Sequence, residues 1–389
     1  MVTIEQALEI IQQQKVKHSL ESKDLDNCLG YSLSEDIYAP FDMPSFDNSA
    51  MDGYALCGIH QEYTIIGEVA AGDDATSFNL KDGQAVRIFT GAPVPKGTVA
   101  VMMQENTGVE GSNLLLEVLP KEGQSIRPKG AELQKGELVF KKGHYITPAT
   151  IGLLGSLGMN SIPVIKKSNI KLITTGNELV APGHPKSSGQ IFESNSFALA
   201  AACTGFGFFC DQTIQIEDDF EAIKSGIKSA LDNSDVLILS GGISVGDYDF
   251  VKQALEENGV EEQFYKVFQK PGKPLYFGRK ANQFVFALPG NPASSLSCFY
   301  LYVLPLLYKL SGSTKSGLPQ YKFPLKNDFE NKTDRPSFLK ANVENGIVEI
   351  LNGQGSSMLR SMAHGNAIAF VDADISLKKG NEVVCYITS

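Results

Sequence analysis

Apolar residues recur at helical spacing at the very start of the chain. Ile4, Leu8 and Ile11 fall on one face of a helix that we predict over residues 3–14. Thr3 and Gln6 match the capping box that opens many helices. A single helix cannot bury its own apolar stripe, so this one must pack against another part of the protein.

Between residues 44 and 140 the apolar positions come in short runs separated by Gly, Pro, Asn and Asp. Such runs are typical of β-strands joined by tight turns, and they predict an all-β module. The predicted strands are 63–66, 85–89, 99–104 and 114–118. Residues 144–168 favour helix again, with Pro148 near the start.

Residues 169–312 alternate between buried-strand runs and amphipathic helices. The predicted strands are 170–174, 235–239 and 284–288, and the predicted helices are 195–203, 220–231, 250–258 and 294–310. This order is typical of a doubly wound α/β domain, in which helices cover both faces of a mostly parallel sheet through right-handed connections.

From residue 313 to the end the pattern indicates β-structure. Asn345-Gly346 stands between the runs 338–343 and 347–351, and Asn-Gly between two such runs is a strong hairpin signal. Residues 367–371 and 382–387 add two predicted strands, so we expect a small barrel or sandwich.

Charge and cysteine content limit the function classes. The chain has 34 basic and 44 acidic residues, a net charge of −10, and no basic run, which argues against a nucleic-acid partner. We expect no signal peptide and no membrane span, because the longest apolar run, 298–308, is interrupted by Pro305. Six cysteines without a C-x-x-C pair favour reduced thiols and a cytoplasmic protein.

Three polar loops follow the predicted parallel strands, at the sheet edge where ligands bind in doubly wound folds. They combine glycines with hydroxyl or carboxylate groups and include Gly176, Ser240, Gly241, Gly242, Pro289, Gly290 and Asn291. Asn291 and Pro292 predict a helix start whose amides, at residues 293–295, point at an anion. Each loop alone could be an ordinary strand-to-helix turn, but three at one edge favour an anion site. None is a Walker A loop or a dinucleotide fingerprint.

Lysines and carboxylates supply further candidates. Lys266 and Lys270 would face the same way on an extended chain and could hold one oxyanion, although a solvated surface run is the alternative. Asp218 suits a helix N-cap. Asp249 follows a phosphate-type loop, where a Mg²⁺ ligand is useful.

The segment FDNSAMDGYA, residues 46–55, taken by itself predicts only a polar turn. It resembles the most specific signature of the molybdopterin molybdenumtransferase family, the MoeA type, which includes the C-terminal domain of gephyrin. The resemblance continues in family order over nearly the whole chain, through TGAPVP (90–95), TGNEL (175–179), SGGISVG (240–246), KPGKP (270–274) and LPGNP (288–292).

The resemblance implies a multidomain α/β fold in a homodimer. We expect a linker and dimerisation domain (1–43 and 141–168), a β-rich domain (44–140), a doubly wound molybdopterin-binding domain (169–312) and a C-terminal β-barrel (313–389). The N-terminal helix would then pack on residues 141–168 and the partner subunit. The implied reaction is Mg²⁺-dependent insertion of molybdenum from molybdate into adenylylated molybdopterin, with release of AMP.

The resemblance also implies roles for single residues. Asp52 and Thr90 would come from the other subunit, and Ser356 would reach in from the barrel. The pterin-domain side would be lined by Glu178, Asp218, Asp249, Lys266, Lys270, Pro289 and Pro292. In our hypothesis Lys266 and Lys270 hold molybdate or a phosphate, while Asp218 and Asp249 hold Mg²⁺.

Three positions depart from the family pattern. Asn177 stands where Asp is usual, Glu132 where Asp is commoner, and Lys340 where Arg is expected. The competing readings are a gephyrin-like scaffold without catalysis, a tungsten-inserting paralogue and, from the loops alone, a generic nucleotide-dependent transferase. The enzyme reading implies two kinds of protein partner: the enzyme that adenylylates molybdopterin, and the apo-molybdoenzymes that receive the cofactor.

Overall fold

The computed structural model of the chain describes residues 1–243 and 250–388. It divides into two compact units. The first consists of Met1–Ser34, Gly143–Thr147 and Pro163–Ser389, and the second of Glu35–Lys142 and Pro148–Ile162.

A six-stranded sheet forms the centre of the first unit. Its strands, in spatial order, are Cys210–Ile216, Ile170–Thr175, Val236–Ser240, Gln283–Leu288, Tyr276–Lys280 and Glu261–Tyr265. The first four strands are mutually parallel, and the last two continue the sheet antiparallel. The doubly wound sheet predicted from the sequence is confirmed, with three additional strands.

Apolar residues on both faces explain why the central strands are buried. The first four residues of the strand Val236–Ser240 alternate between two cores, because neighbouring side chains in a strand point to opposite faces. Val236 and Ile238 belong to one core, and Leu237 and Leu239 to the other. A strand covered on both faces needs apolar residues at every position, which is why it reads as a continuous apolar run.

Helices cover each face of this sheet. They are Ile4–Gln13, Asn195–Gly205, Phe220–Leu231, Phe250–Glu257 and a last helix made of Pro292–Cys298, the π-helical turn Phe299–Val303 and Leu304–Leu310. The part of the chain that the structure describes has one helix, Pro292–Leu310, that is long and apolar enough to cross a membrane. Of an apolar stretch of 18 residues in this helix, 83% is buried inside the fold. Such burial is typical of a core helix.

The first helix begins as predicted but packs elsewhere than expected. Thr3 caps it, and the capping box with Gln6 is present. Ile4, Ala7 and Ile11 are buried in the core that contains the last helix of the sheet domain. The expectation that this stripe covers residues 141–168 is therefore wrong: the apolar surface beside the sheet takes it up.

A five-stranded sheet ends the first unit. Its order is Gln320–Pro324, Glu382–Ile387, Ala367–Val371, Ser337–Glu344 and Ile347–Ile350. The predicted Asn345-Gly346 hairpin is confirmed, and both residues have the positive φ that such a turn requires. The first unit also contains five short strands and one short helix. They are Leu20–Asp24, Leu179–Val180, Ile191–Phe192, Phe329–Asn331 and Ile375–Leu377, and the helix Leu359–His364.

The second unit contains the β-structure predicted over residues 44–140, together with one α-helix. Its six-stranded sheet has the order Ala100–Met103, Gly53–Leu56, Gln84–Ile88, Glu62–Val69, Asn113–Leu116 and Thr107–Glu110. Two short pairs, Asn48–Ser49 with Ile126–Arg127 and Ile37–Tyr38 with Leu138–Phe140, complete it. The helix expected over 144–168 is shorter, Pro148–Ser156, because the chain turns into the strand Ser161–Ile165.

All six cysteines are free thiols, as expected. Burial raises the pKa of Cys203 and of Cys298 to about 12, so both remain protonated at neutral pH. These cysteines therefore act as small apolar side chains in the core.

Candidate active site

A cavity of about 530 Å³ opens at the carboxyl edge of the parallel sheet. The strand register explains its position, because Thr174, Ser240 and Leu288 are direct neighbours across three adjacent strands. The loops that follow these residues therefore start side by side. Nine residues singled out from the sequence line the cavity: Glu178, Asp218, Ser240, Gly241, Gly242, Pro289, Gly290, Asn291 and Pro292.

The second of these loops needs its glycines for steric reasons. Gly241 has φ +100°, and a Cβ there would come within 2.5 Å of the Thr175 carbonyl oxygen. Gly242 has φ +60°, and its Cβ would lie 2.6 Å from Val251. Only glycine lets the backbone turn this close to Thr175 on the neighbouring strand and to Val251 on a helix. These two glycines, which we call the glycine floor, line the cavity without side chains.

Two carboxylates line the cavity, Glu178 from the first loop and Asp218 from the loop after the strand Cys210–Ile216. Glu178 follows Gly176, and the side chain of Asn177 accepts a hydrogen bond from the Asp218 backbone N–H at 3.0 Å. Asn177 thus ties the two acidic segments together through its amide oxygen, which an aspartate oxygen could do equally. Within the described residues neither the Glu178 nor the Asp218 carboxylate forms an ion pair.

Asn195 joins the other two loops. Its Nδ2 donates to Ser240 Oγ and to the Gly290 carbonyl, both at 2.8 Å. Its Oδ1 is buried without a hydrogen-bond partner, as is the Oγ1 of Thr175, and both residues line the cavity. Buried polar atoms without partners are rare in folded proteins, so these two are the groups that a ligand would satisfy.

The third loop starts a helix at the predicted place, but its amides differ from the prediction. Asn291 is the N-cap and Pro292 the first helical residue. The Ser294 N–H donates to the Ser356 carbonyl, and the Ser295 N–H donates to the Asn291 carbonyl. Because partners within the protein take up these two amides, they are not available to an anion.

A loop from the C-terminal sheet closes one side of the cavity. Ser357 lines it, and Ser356 Oγ accepts a hydrogen bond from Asn291 Nδ2 at 3.0 Å. The nearby Lys340 is 3% exposed and donates three hydrogen bonds, to the carbonyls of Gly353, Gly355 and Met358. All three ammonium protons are engaged, so Lys340 holds this loop and does not recognise an anion.

The lysine segment is a loop rather than the extended chain assumed for it. Lys266 has φ +67°, so the alternation that would place Lys266 and Lys270 on one face does not apply. Neither lysine lines the cavity, whereas Pro274 of the same segment does. Buried Gln269 anchors the loop, through Nε2 to the Gly272 carbonyl and through Oε1, which accepts from Tyr302 Oη.

Asp52 and Thr90 form one constellation in the second unit. Asp52 Oδ1 accepts hydrogen bonds from Thr90 N and Thr90 Oγ1, each at 2.7 Å. These bonds, with a smaller contribution from Arg87, lower the pKa of Asp52 and keep it ionised at neutral pH. Gly53 is required next to it, since a Cβ would lie 1.8 Å from the Met102 carbonyl oxygen.

The two predicted Mg²⁺ ligands, Asp218 and Asp249, do not both fall within the described residues. Asp249 lies in 244–249, outside the described residues. Among the residues the structure does describe, no group of three or more His, Cys, Asp or Glu side chains is placed to hold a metal.

The sequence predicted Thr175 as part of the first loop, but it missed other residues of the cavity wall, namely Ile191, Phe192, Glu193 and Asn195. The signal was present in Glu193-Ser194-Asn195, three polar residues that run from the strand Ile191–Phe192 into the first turn of the next helix. Glu193 is buried and accepts a 2.9 Å hydrogen bond from the Ser196 N–H, so its role is to hold the start of that helix.

Comparisons with known proteins agree with this architecture. Three family models match in succession: the MoeA N-terminal region (domain I and II) over residues 2–158, a probable molybdopterin binding domain over 171–309, and the MoeA C-terminal region (domain IV) over 322–387.

Relatives and solved structures extend the match over the whole chain. A molybdopterin molybdenumtransferase of Haemophilus influenzae is 37% identical over 82% of this chain and 80% of its own. That of Staphylococcus epidermidis is 30% identical over 100% and 96%. The crystal structure of a molybdopterin biosynthesis MoeA protein from Pyrococcus horikoshii OT3 superposes with a TM-score of 0.84 at 29% identity, covering 100% of both chains. The chain therefore belongs to the MoeA family.

Proposed function

We propose that this protein is a molybdopterin molybdenumtransferase, which inserts molybdenum from molybdate into molybdopterin during molybdenum cofactor synthesis. The observation that carries this proposal is the cavity at the carboxyl edge of the sheet, with its glycine floor and its two orphaned buried oxygens. Family membership over the whole chain supports the same activity.

In this proposal the cavity holds adenylylated molybdopterin, and AMP is the second product. Its volume of about 530 Å³ falls within the range of sites for ligands of that size. Ile191 and Phe192 provide an apolar wall on which a flat heterocycle can lie, while Asn195 Oδ1 and Thr175 Oγ1 can accept hydrogen bonds from ring N–H groups.

The cavity suits a magnesium ion in the presence of phosphates. Mg²⁺ is usually held by one or two carboxylates together with substrate phosphate oxygens, and Asp218 and Glu178 are carboxylates without an ion pair in the described residues. We propose Asp218 as one ligand and keep Asp249 as the second, on the resemblance alone. When bound, the ion would neutralise charge on the phosphate oxygens of the adenylate.

Lys266 and Lys270 are proposed to hold the molybdate oxyanion. Neither ion-pairs with a carboxylate in the described residues, and the Gln269 anchor keeps their loop in place. We also propose that the Asp52–Thr90 pair acts from the partner subunit of a homodimer. The adenylylating enzyme, the apo-molybdoenzymes and a cytoplasmic location belong to the same proposal, and the six free thiols suit a reducing compartment.

The test is a reconstitution with purified protein, adenylylated molybdopterin, Mg²⁺ and molybdate, following AMP release and activation of an apo-molybdoenzyme. Asp218→Asn should lower the rate about a hundredfold, the usual loss when one charge-stabilising group is removed from an active site. Asp211→Asn is the matched control, because Asp211 is exposed and outside the cavity. Full turnover in Asp218→Asn would remove its role.

Two further outcomes separate the competing functions. A gephyrin-like scaffold would release no AMP in this assay. A tungsten-inserting paralogue would yield cofactor with tungstate in preference to molybdate when both are supplied.

A further inference from the structure

A second cavity, of about 300 Å³, lies at the amino edge of the same sheet. Ser168 precedes the strand Ile170–Thr175, while Asp235 and Asn282 stand directly before the next two strands in the sheet order, Val236–Ser240 and Gln283–Leu288. Six residues of strand, at about 3.3 Å each, separate this edge from the candidate active site, which is a distance of about 20 Å.

Three lysines line this cavity, and one carboxylate accompanies them. Lys17, Lys166 and Lys167 form no ion pair within the described part of the chain. Asp235 accepts a 2.8 Å hydrogen bond from the Asn169 backbone N–H. Three positive groups and one negative group leave the lining with a net charge of +2.

A further positive group, Lys23, which pairs with Glu21 at 3.7 Å, lies close to one of these lysines. Lys167 Nζ lies 4.2 Å from the centroid of the Tyr31 ring, and Lys23 Nζ lies 5.4 Å from the same ring. Burial, and next the charge of Lys23, lower the pKa of Lys167. Both causes disfavour the charged lysine, and an anion in the cavity would oppose both.

Neutral donors complete the lining. The hydroxyls of Ser19 and Ser168 and the side-chain amide of Asn282 form no hydrogen bond among the residues described. Lysines supply point charges to phosphate, and hydroxyl and amide groups supply directed hydrogen bonds to its oxygens.

We propose that this cavity is a second anion site, which binds a phosphate dianion away from the candidate active site. The +2 lining matches a dianion with four acceptor oxygens better than a single carboxylate. Free inorganic phosphate and the phosphate of a nucleoside monophosphate share this chemistry, so the experiment distinguishes between them.

The test is a titration of the full-length protein, labelled at Ile and Leu methyl groups, followed by NMR. Leu310 lines this cavity, whereas Leu179 and Ile191 line the candidate active site, so the two sites report separately. Inorganic phosphate should shift the Leu310 methyls saturably. Sodium chloride at matched ionic strength should not.

Lys166→Gln with Lys167→Gln should weaken this binding at least about tenfold, which corresponds to ~1.4 kcal/mol. Lys121→Gln with Lys322→Gln is the control, since both lysines are exposed and outside either cavity. If the double variant fails to fold, Lys17→Gln, at an exposed position, replaces it and should weaken binding severalfold.

Tighter binding of AMP than of inorganic phosphate at Leu310 assigns the site to a nucleoside monophosphate, and equal binding assigns it to free phosphate. An unmoved Leu310 in the wild type, an equal shift with chloride, or unchanged binding in the lysine variants would each overturn the proposal.

Discussion

Lys340 illustrates how one buried charge organises a loop at the candidate active site. Its ammonium group donates to three backbone carbonyls between Gly353 and Met358, and its own backbone N–H and carbonyl pair with the side-chain amide of Gln354. The same loop carries Ser356, whose hydroxyl oxygen accepts a hydrogen bond from Asn291 Nδ2. Arginine, expected here from the family pattern, would also donate to carbonyls but could not place three donors on one atom.

Lys340→Met should therefore destabilise the protein and loosen the cavity wall. We expect the free energy of unfolding to fall by about 2–3 kcal/mol, because hydrogen bonds from charged groups are strong but the ammonium group no longer needs to be buried. KM for adenylylated molybdopterin should rise more than kcat falls, since Ser356 is then less firmly placed against Asn291. Denaturant titration and steady-state kinetics measure both effects.

Lys326→Met provides the comparison. Lys326 lies on the surface of the same C-terminal region, where it pairs with Glu349 at 2.6 Å. An exposed ion pair contributes little to stability, so this variant should unfold close to the wild type. Equal denaturation midpoints for the two methionine variants would show that Lys340 does not hold the loop.

At the scale of elements, the turn that follows Val236–Ser240 depends on a close approach of two strands. Gly241→Ala places a Cβ 2.5 Å from a backbone oxygen at a positive φ, and a backbone atom cannot move aside as a side chain can. We expect a loss of about 2–4 kcal/mol in the free energy of unfolding, from the left-handed conformation and overpacking together.

Gly290→Ala tests the same edge of the sheet without this conflict. The nearest atom to its Cβ would be the Gly241 Cα at 3.5 Å, an ordinary contact. Thermal unfolding of the two variants should therefore separate clearly. If both alanines lower Tm equally, the steric account of the turn is wrong.

Predicting elements from the sequence succeeded where the signal is local. The helix Phe220–Leu231 and the strand Glu382–Ile387 have the predicted bounds. The strand Cys210–Ile216 was missed because it lies at the edge of the sheet, where four of its seven residues are exposed. An edge strand has no need for a continuous apolar run, so its sequence resembles a loop.

At the scale of the whole molecule, the proposed dimer makes a prediction that a single chain cannot. If Asp52 acts on the cavity of the partner subunit, inactive Asp52→Ala and inactive Lys270→Ala proteins should restore activity when mixed and allowed to exchange subunits. Half of the dimers are then mixed and each has one intact site, which gives roughly a quarter of wild-type activity.

The matched control carries both substitutions in one chain and is mixed with wild type. With Asp52 acting in trans this mixture should also retain roughly a quarter of the activity, whereas action within one chain would leave roughly half. Action within one chain would also leave the first mixture inactive. The two mixtures together therefore decide which subunit supplies Asp52.

The sequence by itself determined the helix starts, the Asn345-Gly346 turn, the parallel strands and the polar loops that follow them. Each depends on the chemistry of residues near one another in the chain. It also carried the family motifs in order.

Only the tertiary structure decided which of these groups meet. Asn195 hydrogen-bonds to Ser240, Lys340 to the Gly355 carbonyl, and Asn291 to Ser356, and the members of these pairs are 45, 15 and 65 residues apart in the sequence. Strand register and loop packing set such contacts, and both depend on all the elements of the fold at once. The same reason explains why the N-terminal helix lies against the sheet domain, and why three lysines from two distant segments line one cavity.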